Sequence, residues 1–184
     1  MSPIHPNHRV DVFAYLALAF LLAYNGFIWA ESPPVAELQI RNAKTPIEGV
    51  TSGGQPTEDE LHQAAELGYQ TVVNLRTEAE EMPFDEAELV ESLGMHYVSL
   101  PVAGSEGINA ENARALAEVL DRSARPILLH CGSGNRVGAL FALKAYAVDG
   151  KDAATALQVG RDAGLTRLEP VVREKLGLPV PETE

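Results

Sequence analysis

Pro126-Ile127-Leu128-Leu129-His130-Cys131-Gly132-Ser133-Gly134-Asn135-Arg136-Val137-Gly138-Ala139-Leu140 is the stretch from which the rest of this chain can be read. Ile127 to Leu129 is a short apolar run of strand length. Two glycines then bracket a serine, and Val137 to Val148 resumes with the apolar content of a helix. A strand, a glycine-rich turn and a helix start form an anion cradle, because the loop and first-turn N–H groups point inward without partners. Gly132 and Gly134 are expected to supply the left-handed backbone that lets those groups converge. The only cysteine of the chain, Cys131, falls at the strand end of the cradle. A thiol there is expected to ionise readily, and the thiolate is the nucleophile. Arg136 falls in the first helical turn, where a cation opposes the helix dipole and so calls for an anion; its planar guanidinium can grip two oxygens of a tetrahedral one. The stretch implies thiol chemistry on an oxyanion-bearing substrate, phosphate above all. The same residues also fit a buried structural cysteine beside an ordinary turn.

Working outward, the same alternation recurs. Ile47 to Ser52 reads as a short first strand, and Gly53-Gly54-Gln55-Pro56 as a turn. Thr57 and Glu60 form a capping box for a helix whose apolar face is Leu61, Ala64, Ala65 and Leu67. Thr71 to Leu75 is a buried strand, Arg76 to Phe84 an acidic loop, and Asp85 to Leu93 a helix closed by Gly94. His96 to Leu100 is another strand, Pro101 to Ile108 a loop, and Asn109 caps a helix reaching about Ser123. Two more helices are expected, over about Lys151 to Ala163 and Leu168 to Lys175. The expected fold class is α/β, with a mostly parallel central sheet flanked by helices. In such sheets sites lie beyond the carboxyl ends of the strands, where the loops at Arg76, at Ser105-Glu106 and at Cys131 fall together.

The composition narrows the function. A net charge of −12 on 184 residues argues against nucleic acid or anionic membrane surfaces as partners. A phosphate site on such a chain has to be a local positive pocket. One cysteine excludes an intramolecular disulfide and a cysteine-rich zinc site, and the five histidines show no metal-ligand spacing, so neither a metal nor a cofactor is expected. Val12 to Ala30 is apolar apart from Asn25 and Gly26, and Glu31-Ser32-Pro33-Pro34 follows abruptly. Residues 1–30 read as a signal peptide or an N-terminal membrane anchor, residues 31–46 as a linker, 47–177 as the domain and 178–184 as a loose tail. Export to the periplasm, or attachment to the membrane through residues 12–30, follows from either reading of that segment. Gly132-Ser133-Gly134-Asn135-Arg136-Val137-Gly138 also resembles a dinucleotide fingerprint, but the third glycine comes one residue late and no acidic residue follows at the required distance.

His130-Cys131-Gly132-Ser133-Gly134-Asn135-Arg136 is similar to the signature loop of the cysteine-dependent protein phosphatases. Gly54 to Thr57, Leu67 to Arg76 and Gly94 to Val102 resemble the phosphatase-like domain of the bacterial beta-lactamase-hydrolase-like proteins, close to the dual-specificity phosphatases. The resemblance spans about residues 45–150. It implies a tyrosine-phosphatase-like fold and a metal-free cysteinyl-phosphate mechanism on a phosphorylated protein or small molecule. Cys131 would be the nucleophile, the loop Cys131 to Arg136 would hold the phosphoryl group, and His130 would orient the loop. This sequence departs from the pattern at three points. Four residues separate Cys131 from Arg136 where the family has five, and four is the spacing of the rhodanese loop, whose cysteine carries a persulfide. Val137 stands where a Ser or Thr is usual. The loop Pro101 to Ile108, which in the family carries the aspartate general acid, contains only Glu106. The resemblance therefore implies a phosphatase, in which Glu106 reads equally as the acid or as an exposed loop charge, and leaves open a rhodanese-like sulfurtransferase or a non-catalytic anion-binding module. Arg76, at the end of its strand, is a candidate supporting anion contact, with a surface ion pair as the stronger alternative reading.

Overall fold

The computed structural model of the chain describes residues 38–181. The expected signal or anchor segment lies outside the described residues. Five strands, β1 (Lys44–Ile47), β2 (Val50–Gly53), β3 (Thr71–Asn74), β4 (His96–Ser99) and β5 (Ile127–His130), form one sheet in the order β1-β2-β5-β3-β4. β2, β5, β3 and β4 run parallel, whereas β1 pairs antiparallel with β2, so the sheet is mixed. The helices among the described residues are α1 (Glu58–Glu66), α2 (Glu86–Ser92), α3 (Ala110–Arg122), α4 (Asn135–Ala147), α5 (Ala153–Asp162) and α6 (Glu169–Leu176).

Side chains alternate across the pleat. On β3 and β5, Val73, Ile127 and Leu129 join a core shared with Leu116 and Leu120 of α3 and Leu140 of α4. Val72 and Leu128 face the other way, onto Leu61 and Ala64 of α1 and Val90 of α2. Each fully buried Val or Leu of this kind contributes about 1.5–3 kcal/mol of transfer free energy, and the two layers fix which loops share an edge. Gly53 and Asn74 both sit level with His130, and Asn74 with Ser99. Hence the loops that leave β2, β3, β4 and β5 emerge side by side at one end of the sheet.

α4 carries little amphipathic contrast because it is buried nearly all round, from Val137 to Leu143 without a break. It crosses α5 closely. A Cβ placed on Gly138 would stand 2.0 Å from the backbone nitrogen of Leu165, and one on Gly160 would stand 2.8 Å from the Gly138 carbonyl oxygen. Gly138, which gave the false likeness to a dinucleotide fingerprint, is a packing glycine.

Two boundaries differ from the sequence reading. The strand expected over Ile47 to Ser52 is a hairpin, turning at Glu48-Gly49 between β1 and β2. The stretch 31–46 is not all linker: Leu38 and Ile40 are buried in the core with Val72 and Leu128, and β1 begins at Lys44. Residues 38–46 have no long apolar run, so only their tertiary partners reveal them as part of the domain. The caps agree with the sequence. Thr57 and Glu60 make the full capping box, and the side chains of Asp85 and Asn109 accept from the N–H groups of Glu88 and Asn112.

Candidate active site

The Cys131 N–H makes the last sheet contact, 3.3 Å from the Gly53 carbonyl, and the chain then leaves β5. Gly134, at φ 85°, caps α4 without a side chain. That left-handed turn swings its N–H to 3.2 Å from Cys131 Sγ. Gly132 does not share the left-handed conformation expected of it. Cys131 is 1% exposed, at the floor of the loop. The loop is tied down at two points. The Asn42 side chain donates to the Ser133 carbonyl at 3.1 Å, and the Asn135 side-chain oxygen accepts from the backbone N–H of Thr166 at 2.8 Å and of Leu168 at 3.3 Å. Asn135, expected among the phosphate-binding residues, therefore commits its side-chain oxygen to anchoring the chain before α6.

Arg136 points back across the loop and is held in place. Its Nη1 and Nη2 donate to Glu80 Oε1 and Oε2 at 2.6 and 2.7 Å, and Nη1 also donates to the Val102 carbonyl at 2.9 Å. This bidentate pairing is the strong form of a charge-assisted hydrogen bond. It holds the Glu80 carboxyl down at about 2, aided by the Thr77 N–H and the charge of Arg76 and opposed by partial burial. The Arg136 guanidinium is raised above its ordinary value, first by Glu80, against desolvation, and further by the charge of Cys131. Glu80 was not singled out in the sequence. It is one of several carboxylates in an acidic loop, and only the fold decides which of them meets Arg136.

Arg76 does not serve as an anion contact. Its Nε donates to Glu80 at 3.3 Å, Nη1 to Gln55 Oε1 at 2.8 Å and Nη2 to the Glu81 carbonyl at 2.6 Å. It is a nearly buried brace for Glu80, its side chain 12% exposed. His130 is fully buried behind the loop, with Nε2 3.0 Å from Glu86 Oε1. Glu86, the first residue of α2, accepts from Asn74 Nδ2 at 2.7 Å and from Gln55 Nε2 at 3.2 Å. Asn74 also donates to the Tyr97 hydroxyl at 2.9 Å. Burial, and secondarily the nearby Glu86 charge, push that phenol above its usual range, against the lowering effect of Asn74. A polar lattice thus runs beneath the loop from Tyr97 to Arg136.

A cleft of about 770 Å³ opens over Gly132, Ser133 and Arg136, with Thr77 and Glu80 on one wall and Arg41 and Arg167 on another. The loop after β4 contributes Ala103, Gly104 and Ser105, and the lining stops one residue short of Glu106. Glu106 is exposed, and its turn is held by Gly107 N–H donating to the Ala103 carbonyl at 2.7 Å and Asn109 Nδ2 donating to the Glu106 carbonyl at 3.2 Å. Among the described residues Glu80 is the one carboxylate lining the cleft, and it is engaged by Arg136. Val137 is fully buried in the core, so the first residue after the arginine presents nothing to the cleft. No group of three or more His, Cys, Asp or Glu is arranged to hold a metal among the described residues.

The family model described as DSP-PTPase phosphatase fused to NAD+ kinase matches residues 36–167. The chain belongs to this family. The match is wider than the stretch legible from motifs, and it takes in the segment ahead of β1. The family so described is of the dual-specificity and tyrosine-phosphatase type, whose reaction class is phosphoric monoester hydrolysis. The beta-lactamase hydrolase-like protein of Xylella fastidiosa strain Temecula1 is 32% identical over 108 residues, 56% of this chain and 25% of that protein. The chain therefore matches about a quarter of the length of that curated relative. Two solved structures share the fold. A Neisseria meningitidis protein assigned as a phosphatase aligns with TM-score 0.60 at 22% identity, covering 72% of this chain and 94% of its own. The catalytic core of the Saccharomyces cerevisiae PP-IP phosphatase SIW14 aligns with TM-score 0.53 at 17% identity, covering 73% and 84%.

Proposed function

We propose that this phosphatase-family chain hydrolyses phosphomonoesters through a phosphocysteine on Cys131. The observation that carries the reading is Cys131 Sγ at the floor of a loop whose Gly134 N–H points at it from 3.2 Å, with Arg136 held above the same loop by Glu80. Sγ attacks phosphorus, the P–O ester bond breaks, and the leaving oxygen takes a proton from the water of the open cleft. Arg136 and the loop N–H groups hold the phosphoryl oxygens as their charge shifts. Water then attacks phosphorus, the P–S bond breaks, and phosphate leaves as the thiolate is restored. His130 lies buried beneath the loop with Glu86 beside it. The position of Glu106 outside the cleft lining supports a solvent proton over a carboxylate donor. The substrate is a phosphorylated protein or small molecule, and the apolar run at residues 12–30 supports export of the domain, tested by cell fractionation and by the N-terminal residue of the mature chain.

One observation favours a second reading. The four-residue spacing between Cys131 and Arg136 fits a persulfide carried on Cys131 and passed to an acceptor. p-Nitrophenyl phosphate assayed beside thiosulfate and cyanide separates the two. Phosphate release that disappears in Cys131→Ser and in Arg136→Ala is expected; thiocyanate formation without phosphate release would overturn the phosphatase reading. Silence in both assays with vanadate still bound would mean a binding module.

A further inference from the structure

Beside the cleft lies a second, smaller pocket of about 410 Å³, lined by Arg41, Asn42, Lys44, Ser133, Gly164, Thr166 and Arg167. It shares Arg41, Ser133 and Arg167 with the cleft, so the two lie side by side along the phosphate loop. Its lining holds three cations and no carboxylate. On a chain of net charge −12 that is a local inversion of sign. Four guanidiniums of the domain are taken up by carboxylates, Arg76 and Arg136 by Glu80 and Arg161 and Arg173 by Glu169. Arg41, Lys44 and Arg167 have no ion-pair partner among the described residues.

The pocket is built onto the phosphate loop. Asn42, in the left-handed conformation at φ 57°, donates to Ser133, and the Gly54 N–H donates to the Arg41 carbonyl at 2.7 Å while Gly54 bridges Ser133. Asn135 holds Thr166 and Leu168 on either side of Arg167. The two segments carrying the cations are therefore registered to the loop residues that would hold a phosphoryl group. Three like charges kept together without a counter-ion cost stability, and an anion of two negative charges relieves that repulsion.

Resting on the phosphatase reading above, we propose that Arg41, Lys44 and Arg167 form a second anion subsite that selects small substrates carrying a second phosphate beside the one removed. The scissile group sits over Cys131, and the second phosphate lies in the neighbouring pocket. A volume of this size takes one phosphate and a few carbons, in keeping with a small metabolite rather than a protein surface.

The test measures binding first, so that it does not depend on turnover. In Cys131→Ser, calorimetry compares alkanediol bisphosphates of three to six carbons with the matching alkyl monophosphates. A bisphosphate of best-fitting length is expected to bind at least tenfold more tightly, with an advantage that shrinks as salt rises. Adding Lys44→Gln, which removes an exposed side chain lining only the second pocket, is expected to cut that ratio severalfold; Arg167→Gln is expected to do the same. Equal affinities across all lengths, or a ratio indifferent to both substitutions, would overturn the subsite. A larger ratio for a doubly over a singly phosphorylated peptide would overturn its assignment to small molecules. Turnover of the same esters by the unaltered protein stands apart: no phosphate release from any of them, with the binding ratio intact, would sink the phosphatase reading and leave the subsite standing.

Discussion

Glu80→Gln removes the charge that holds Arg136 while keeping the shape of the side chain. Glu80 accepts both guanidinium nitrogens, at 2.6 and 2.7 Å, and its carboxyl is held at about 2 instead of its ordinary 4.5. At about 1.4 kcal/mol per tenfold, that depression corresponds to roughly 3 kcal/mol. The Glu80 side chain is 30% exposed, so water and salt screen the pair, and about 1–2 kcal/mol is the expected net contribution to stability at pH 7. Its sign with pH is fixed by the direction of the shift. The folded-state carboxyl is depressed, so the stabilisation is fully present above about 4.5 and is lost as pH falls toward 2. Urea unfolding of the two proteins from pH 7 to pH 3 should show a gap that narrows by about half or more at the acid end. In kinetics, an Arg136 freed from its brace should lower kcat/KM on p-nitrophenyl phosphate by roughly ten- to a hundredfold. In an Arg136→Ala background the substitution should cost less, with only the Arg76 and Thr77 contacts of Glu80 left to weaken, which makes the pair a double-mutant cycle with about 1–2 kcal/mol of coupling. Equal stabilities at pH 7, or a gap that stays constant down to pH 3, would refute the reasoning.

Other outcomes follow from the same geometry. Glu106→Gln is expected to leave the acid limb of the kcat/KM profile on p-nitrophenyl phosphate unchanged, because the 103–107 turn keeps Glu106 outside the cleft lining; loss of that limb would make Glu106 the proton donor. Gly138→Ala puts a methyl group where only 2.0 Å separates it from backbone, at the crossing of α4 and α5, and should lower stability by about 1–3 kcal/mol or prevent folding. Thermal unfolding followed by circular dichroism measures it. An unchanged melting temperature in Gly138→Ala would show that the crossing yields more easily than its distances imply.

Much of the architecture is written in local pattern. Thr57 and Glu60, Asp85 and Asn109 announce three helix starts by the chemistry of their side chains, and the apolar runs at residues 71–75 and 127–129 announce the two central strands. Cys131 and Arg136 are legible for the same reason: a nucleophile and a planar cation spaced across a glycine turn form a local arrangement, and the chain belongs to the phosphatase family that this arrangement resembles. In sequence the hairpin β1–β2 reads as one strand because neither half has a strong pattern of its own; pairing with β5 and burial of Leu38 and Ile40 make it part of the domain.

What the tertiary structure alone decided is the set of partners. Glu80 is 56 residues from Arg136, Glu86 is 44 from His130, and Arg41 and Arg167 are 126 apart. No spacing rule links them, because the contacts between them depend on the order β1-β2-β5-β3-β4, which brings loops from distant parts of the chain to one edge of the sheet. The chain by itself therefore determined which residues are the candidates to attack and to hold an oxyanion. Folding decided which carboxylate holds the arginine, which stays out of the cleft, and that three cations gather beside it without a counter-charge. Reactivity belongs to a residue and its near neighbours, whereas electrostatic pairing depends on distance in space.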